Sequence, residues 1–278
     1  MATEVLRSLD LPVLFDDHAE TFSTHTSPEA TGMTRITFNI FDVTPLWAVI
    51  LGTVLSFMAF TPLAAQDFSK GYDAYQAGDY STALQEWRPL ASQGHAWSQF
   101  SLGLMYDTGE GVLQDYAEAA RWYRLAAEQG NVYAQSSLGA MHYDGTGVLQ
   151  DFAEAMKWHQ LAADQGDVFA QFNIGIMHYN GQGVLQDFAE AMRWYRLAAD
   201  QGDAPAQFNV GVMYSNGQGV LQDNVMAHMW YNIGAANGHE LGSINRDSIA
   251  EGMTPSDIST AQAMARECMS SGYQNCGN

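Results

Sequence analysis

The chain has 278 residues, of which 11 are Lys or Arg and 31 are Asp or Glu, a net charge of −20 at pH 7. An excess of that sign leaves no basic stripe to neutralise phosphates, which argues against nucleic acid and anionic lipid as ligands and leaves a basic protein partner open. Apolar residues make up 47% of the sequence, enough material for a substantial core.

Residues 1–32 are acidic and carry no pattern, whereas Met33 followed by Arg35 makes an ordinary start, so 1–32 are expected to be a start-site artefact or an unstructured leader. From Leu46 to Phe60 no residue is charged, and Thr61-Pro62-Leu63-Ala64-Ala65 follows. That run is shorter than the roughly 20 residues of a membrane span. It fits the apolar core of a secretory signal with a small-residue cleavage site. Residues 33–65 are therefore read as a signal peptide cleaved after Ala65, leaving an exported chain with no stable membrane insertion; a retained signal anchor is the alternative.

Beyond it, Gly-x-Gly-Val-Leu-Gln-Asp begins at Gly109, Gly145, Gly181 and Gly217, each copy 36 residues after the last. A period of 20 to 50 residues marks a stacked array whose units bury their apolar faces only against neighbours. One unit reads as helix over Val168 to Tyr179, glycine loop, helix over Asp187 to Gln201. Asp115, Asp151 and Asp187 have the chemistry of N-caps, and Glu118, Glu154 and Glu190 are placed to reach back as in a capping box. Gly130, Gly166, Gly202 and Gly238 stand where a left-handed residue ends the second helix. That helix keeps Ala at 119, 155, 191 and 227 and Trp at 122, 158, 194 and 230, a spacing suited to wedging between repeats. Truncation of the central Trp194 is expected to cost more than truncation of Trp230. In the first helix, Gly103, Gly139, Gly175 and Gly211 predict a close helix crossing, since a mid-helix Gly costs about 1 kcal/mol.

The stretch from Ala170 to Gly202, with its Gly-x-Gly-Val loop, Asp cap, Trp and Ala-Ala-x-x-Gly ending, closely resembles the Sel-one-like repeat, a relative of the tetratricopeptide repeat. The resemblance covers 94–237 as four repeats. It implies an all-α, right-handed α-solenoid of helix-turn-helix repeats and a role in protein–protein interaction, with the first helices lining the concave side. Residues 66–93 resemble a tetratricopeptide hairpin with a shorter loop, a divergent N-terminal cap whose second helix Pro89 should kink near its end. Residues 238–278 read as a helical C-terminal cap. Its last helix opens at Thr254-Pro255-Ser256-Asp257 and runs to about Ser270, and Met253 to Cys268 resembles the ending of many secreted members.

Candidate chemistry is sparse. His142 and His178 share a register held by Tyr106 and Tyr214 in the outer copies, and His159 takes a slot otherwise Tyr123, Tyr195 and Tyr231. The neighbouring pair could share a metal, but the sister tyrosines favour aromatic-sized fillers, and no further ligand recurs with them; no metal or cofactor is assigned. Some secreted relatives are described as binding penicillin or hydrolysing β-lactams, which gives a cell-envelope enzyme as the alternative function. Against it, neither Ser-x-x-Lys nor Lys-Thr-Gly occurs here. The Gly-x-Gly loops are followed by an Asp that competes for the N–H groups a phosphate would need.

What remains is a stripe on the first helices: Trp97, Tyr133, Phe169 and Pro205, with Ser101, Ser137, Asn173 and Asn209 four residues on. Aromatics with adjacent amides and hydroxyls make a peptide groove one reading and inter-repeat core the other. The partner-binding candidates are Trp97, Ser101, Tyr133, Ser137, Phe169, Asn173 and Asn209, and the partner a protein or peptide. Cys268 and Cys276, the only cysteines, are expected to pair in an oxidising compartment, Gly272 permitting the turn; a free Cys268 or an interchain bond through Cys276 are the alternatives.

Overall fold

The computed structural model describes residues 67–274, 276 and 277; the leader and signal readings lie outside the described residues. Twelve helices follow one another there, and none is long and apolar enough to cross a membrane. A first hairpin joins α1 (Phe68–Gln76) to α2 (Tyr80–Ser92). Four longer hairpins follow: α3 (Ala96–Thr108) with α4 (Tyr116–Ala127), α5 (Val132–Asp144) with α6 (Phe152–Ala163), α7 (Val168–Asn180) with α8 (Phe188–Ala199), and α9 (Ala204–Asn216) with α10 (Asn224–Ala236). Then come α11 (Gly242–Ala250) and α12 (Pro255–Ser270). Each second helix packs on its own first helix and on the first helix of the next hairpin, and α10 packs on both α11 and α12. This is an α-solenoid closed by a C-terminal cap.

The loop residues set the hairpin geometry. Gly109, Gly145, Gly181 and Gly217 end the first helices at φ between 68 and 77°. The second loop glycine answers to its neighbour as well as to its own left-handed backbone. A Cβ on Gly147, Gly183 or Gly219 would fall 2.2 to 2.6 Å from the carbonyl oxygen of Tyr116, Phe152 or Phe188, at the start of the preceding repeat's second helix. Asp115, Asp151 and Asp187 then cap the second helices, each Oδ1 accepting two backbone N–H groups. The reciprocal half of the capping box does not form. Each Asp N–H instead donates to a first-helix carbonyl, at 2.9 Å to Tyr106, His142 and His178, and the glutamates turn to Arg121, Lys157 and Arg193 three residues on. Those cations also lie over the rings of Trp122, Trp158 and Trp194, so the few bases of the array are engaged on its second helices.

The mid-helix glycines lie at the close contact between the two helices of each hairpin. They mark an aromatic ring laid on the first helix: Cβ atoms at Gly103, Gly175 and Gly211 would meet the rings of Tyr123, Tyr195 and Tyr231 at 2.5 to 2.7 Å, and at Gly139 the ring of His159 at 2.7 Å. In the N-terminal hairpin Gly71 accepts Trp87 in the same manner, and α2 continues past Pro89 to Ser92. The Trp row is buried unevenly. Trp230 is fully covered and belongs to the core that α12 completes, Trp194 is 7% exposed, and Trp122 is half-buried. This reverses the expected order of Trp194 and Trp230, because the cap buries the last repeat more completely than a neighbouring repeat buries a central one.

Candidate functional site on the first helices

The first helices present their stripe at successive registers, and its character changes along the array. At the N-terminal end the rings pack on one another: Trp97 lies 5.7 Å from Tyr133 and 6.2 Å from Phe100, and Phe100 lies 5.8 Å from Tyr133 and 5.7 Å from Tyr123. Trp97 and Tyr133 are half-buried. Burial, with the Asp167 charge, raises the Tyr133 hydroxyl pKa. Further on the stripe opens. Phe169 is 38% exposed and Pro205 is exposed. The same register continues at Leu241, 50% exposed, with Ile244 beside it on α11 at 61%. Between Pro205 and Leu241 lies a shallow hollow of about 360 Å³, and an adjoining one of about 520 Å³ extends to Arg246. His239 borders both and stacks on Phe208 at 4.0 Å between ring centroids.

The polar members of the stripe are more deeply used than surface contacts would be. Ser101 is buried. Ser137 and Asn209 lie beside the buried rings of Tyr123 and Tyr195, which belong to the preceding repeat's second helix. Asn173 donates to the carbonyl of Phe169, 2.8 Å away on its own helix. The structure therefore brings together Trp97 and Tyr133, sets Phe169 partly exposed with its ring 6.3 Å from that of His159, and turns Ser101, Ser137 and Asn209 toward inter-repeat packing. A buried hydroxyl needs a polar partner, and that of Tyr123 donates to Asp107 Oδ2 at 3.3 Å.

Where the slot holds His159, that satisfaction fails. The imidazole is fully buried, neither ring nitrogen has a hydrogen-bond partner, and burial lowers its pKa to about 4. An imidazole is shorter than a phenol and stops short of the groups a tyrosine hydroxyl reaches. His142 contacts Arg124 through Nε2 at 3.1 Å, and no group of three or more His, Cys, Asp or Glu able to hold a metal occurs among the described residues.

Sequence reasoning missed a ladder of buried amides. Gln99, Gln135, Gln171 and Gln207 accept from the amides of Gln129, Gln165, Gln201 and Asn237 at 2.6 to 2.8 Å. Three of them donate in turn to the carbonyls of Ala91, Ala127 and Ala199, at the end of the preceding second helix. The signal was present as one Gln recurring inside an apolar run every 36 residues.

Helix hairpins stacked at one period, each glycine seating the ring of its partner helix, define a repeat scaffold. The family model for the Sel1 repeat matches residues 98–131, 132–167, 168–203 and 204–239. The chain belongs to the Sel1 repeat family. Among solved structures it is similar to a protective antigen present in uropathogenic Escherichia coli strains that displays an SLR fold (36% identity, TM-score 0.65), with 75% of this chain and 45% of that chain covered. It is also similar to a Sel1 repeat protein from Oxalobacter formigenes (33% identity, TM-score 0.63), with 71% of this chain and 84% of that one covered. The match thus spans less than half the length of the Escherichia coli protein. No curated protein matches the sequence at a significant level.

Proposed function

We propose that the protein is an exported scaffold that binds a protein or peptide along its first-helix stripe, with no catalysis of its own. The observation that carries this is the opening of the stripe toward its C-terminal end, where Phe169, Pro205, Leu241 and Ile244 stay exposed beside the hollows at His239. Exposed apolar groups with a few polar neighbours suit an extended peptide or a helix laid across the repeats. Trp97 and Tyr133 serve that surface as its packed flank, while Ser101, Ser137, Asn173 and Asn209 support it from beneath or alongside. Export rests on the apolar run 46–60 and the small residues after it, and the disulfide-bonded pair Cys268 and Cys276 fits an oxidising compartment. N-terminal sequencing of the secreted or periplasmic protein is expected to begin at Gln66.

The test is comparative capture from envelope extract followed by mass spectrometry. Phe169→Ser combined with Leu241→Ser, both exposed, is expected to lose the partner held by the wild type while the helical circular-dichroism signal stays intact. Equal recovery by both proteins would falsify the site. A chromogenic β-lactam is expected to survive incubation with the purified protein; turnover abolished by a single Ser substitution would replace the scaffold reading with an enzymatic one.

A further inference from the structure

Leu113, Leu149, Leu185 and Leu221 are each exposed by 90 or 91%. One exposed leucine on a surface is ordinary; four at one register of a stacked array form an apolar row. The leucines are held outward. The residue before the first and the last, Val112 and Val220, packs inward against the core. The residue after each is a Gln whose amide donates to the end of the preceding helix, at 2.7 Å to Asp107 and 2.8 Å to Tyr143, Tyr179 and Ser215. Next comes the capping Asp, its N–H bonded to that same helix at 2.9 to 3.0 Å. A loop pinned on both sides presents its leucine without further ordering cost on binding.

The loop segments that carry the row are acidic. Segments 109–118, 145–154, 181–190 and 217–226 contain eight Asp or Glu and no Lys, Arg or His. Glu118, Glu154 and Glu190 are paired with Arg121, Lys157 and Arg193, and Glu110 is held by Tyr75 and Tyr80. The carboxylates beside the row that no cation pairs are Asp115, Asp151, Asp187 and Asp223, all exposed, each two residues beyond its leucine and each with Oδ1 held by its own helix cap.

We propose that this leucine–aspartate edge is a second docking surface, separate from the first-helix stripe, and that it takes a cationic amphipathic segment of another protein. The leucines provide burial, and the aspartates select a partner carrying Lys or Arg among its apolar groups. They also act against pairing with a second copy of this chain, whose own edge is equally acidic.

Two leucine-rich helical peptides of equal length, one with Lys and one with Glu at its polar positions, are titrated against the full chain by fluorescence anisotropy. The Lys peptide is expected to bind and the Glu peptide not to. Leu149→Ser with Leu185→Ser, which keeps every charge, is expected to weaken the Lys peptide about tenfold with circular dichroism unchanged. Failure of the Lys peptide to bind, equal binding of it by wild type and variant, or equal binding of both peptides overturns the proposal. So does a dimer in sedimentation, or flotation with phosphatidylcholine vesicles, that the double variant abolishes, since the edge then serves a second copy or a membrane.

Discussion

His159 is the residue at which the array departs furthest from its own rules. Tyr123, Tyr195 and Tyr231 fill the same slot with hydroxyls that reach polar neighbours, whereas the His159 ring is buried with both nitrogens unpartnered. Its folded pKa, about 4, lies below the ordinary 6.5 because burial disfavours the charged ring. The unfolded chain therefore takes up the proton first. Stability from this group is complete above about pH 6.5 and falls as pH drops from there toward 4, by roughly 2 kcal/mol between pH 7.5 and 5. His159→Tyr restores the sister residue and removes that titration. Urea unfolding is expected to show the variant's advantage growing by about this amount from pH 7.5 to pH 5. An advantage independent of pH would mean that the ring is solvated and charges normally. Asp107, Asp167 and Asp203 act with the opposite sign, since burial raises their pKa values and acidification then favours the native state, so the comparison must be wild type against variant.

Within the helix pair, a glycine and a ring form one unit. Gly175→Ala would place a methyl group 2.6 Å from the Tyr195 ring, so the overpacking cost, typically about 1 to 3 kcal/mol, outweighs a helix-propensity gain of about 1. Net destabilisation in chemical denaturation is the expected outcome, and a stabilised variant would show the ring moving aside freely. Sequence periodicity made the helices, caps and hairpins legible, because Asp, Gly and Trp recur at registers whose chemistry is local. What lay across the interface was less legible. The glycines pointed to a close approach without naming the ring, and the glutamate reach-back lost to Arg121, Lys157 and Arg193 because the Asp N–H had already found a carbonyl. The polar stripe residues recur at the repeat period, but the period alone does not say whether a serine or asparagine faces solvent or a tyrosine ring of the preceding repeat. Repeat position alone ranks Trp194 above Trp230, whereas burial ranks them the other way because Trp230 joins the core that α12 completes. Trp230→Ala is now expected to cost about 3 to 5 kcal/mol, more than Trp194→Ala and more again than Trp122→Ala. Thermal or urea unfolding of the three variants gives the order directly.

Across the whole array, stability is a sum of repeat and interface contributions, and the last interface is the least repetitive. Cys268 and Cys276 are joined by a disulfide with Cα atoms 4.6 Å apart, and both are buried in the core that holds Trp230, Met229 and Ala261. Tyr273, between them, exchanges hydrogen bonds with Asn237 at 2.8 to 3.0 Å, and Asn237 also holds Gln207 at the end of the amide ladder. The bridge thus ties the tail to the last of a series of amide pairs, one in each repeat. For a loop this short the chain-entropy model gives roughly 2.5 kcal/mol, and the effect should stay local because each repeat contacts only its neighbours. Cys268→Ser with Cys276→Ser, or reduction of the wild type, is expected to raise amide exchange in α10, α11 and α12 while protection in α1 to α6 is unchanged. Exchange that rises equally along the chain would instead show that the array opens as one cooperative unit, with the cap controlling all of it.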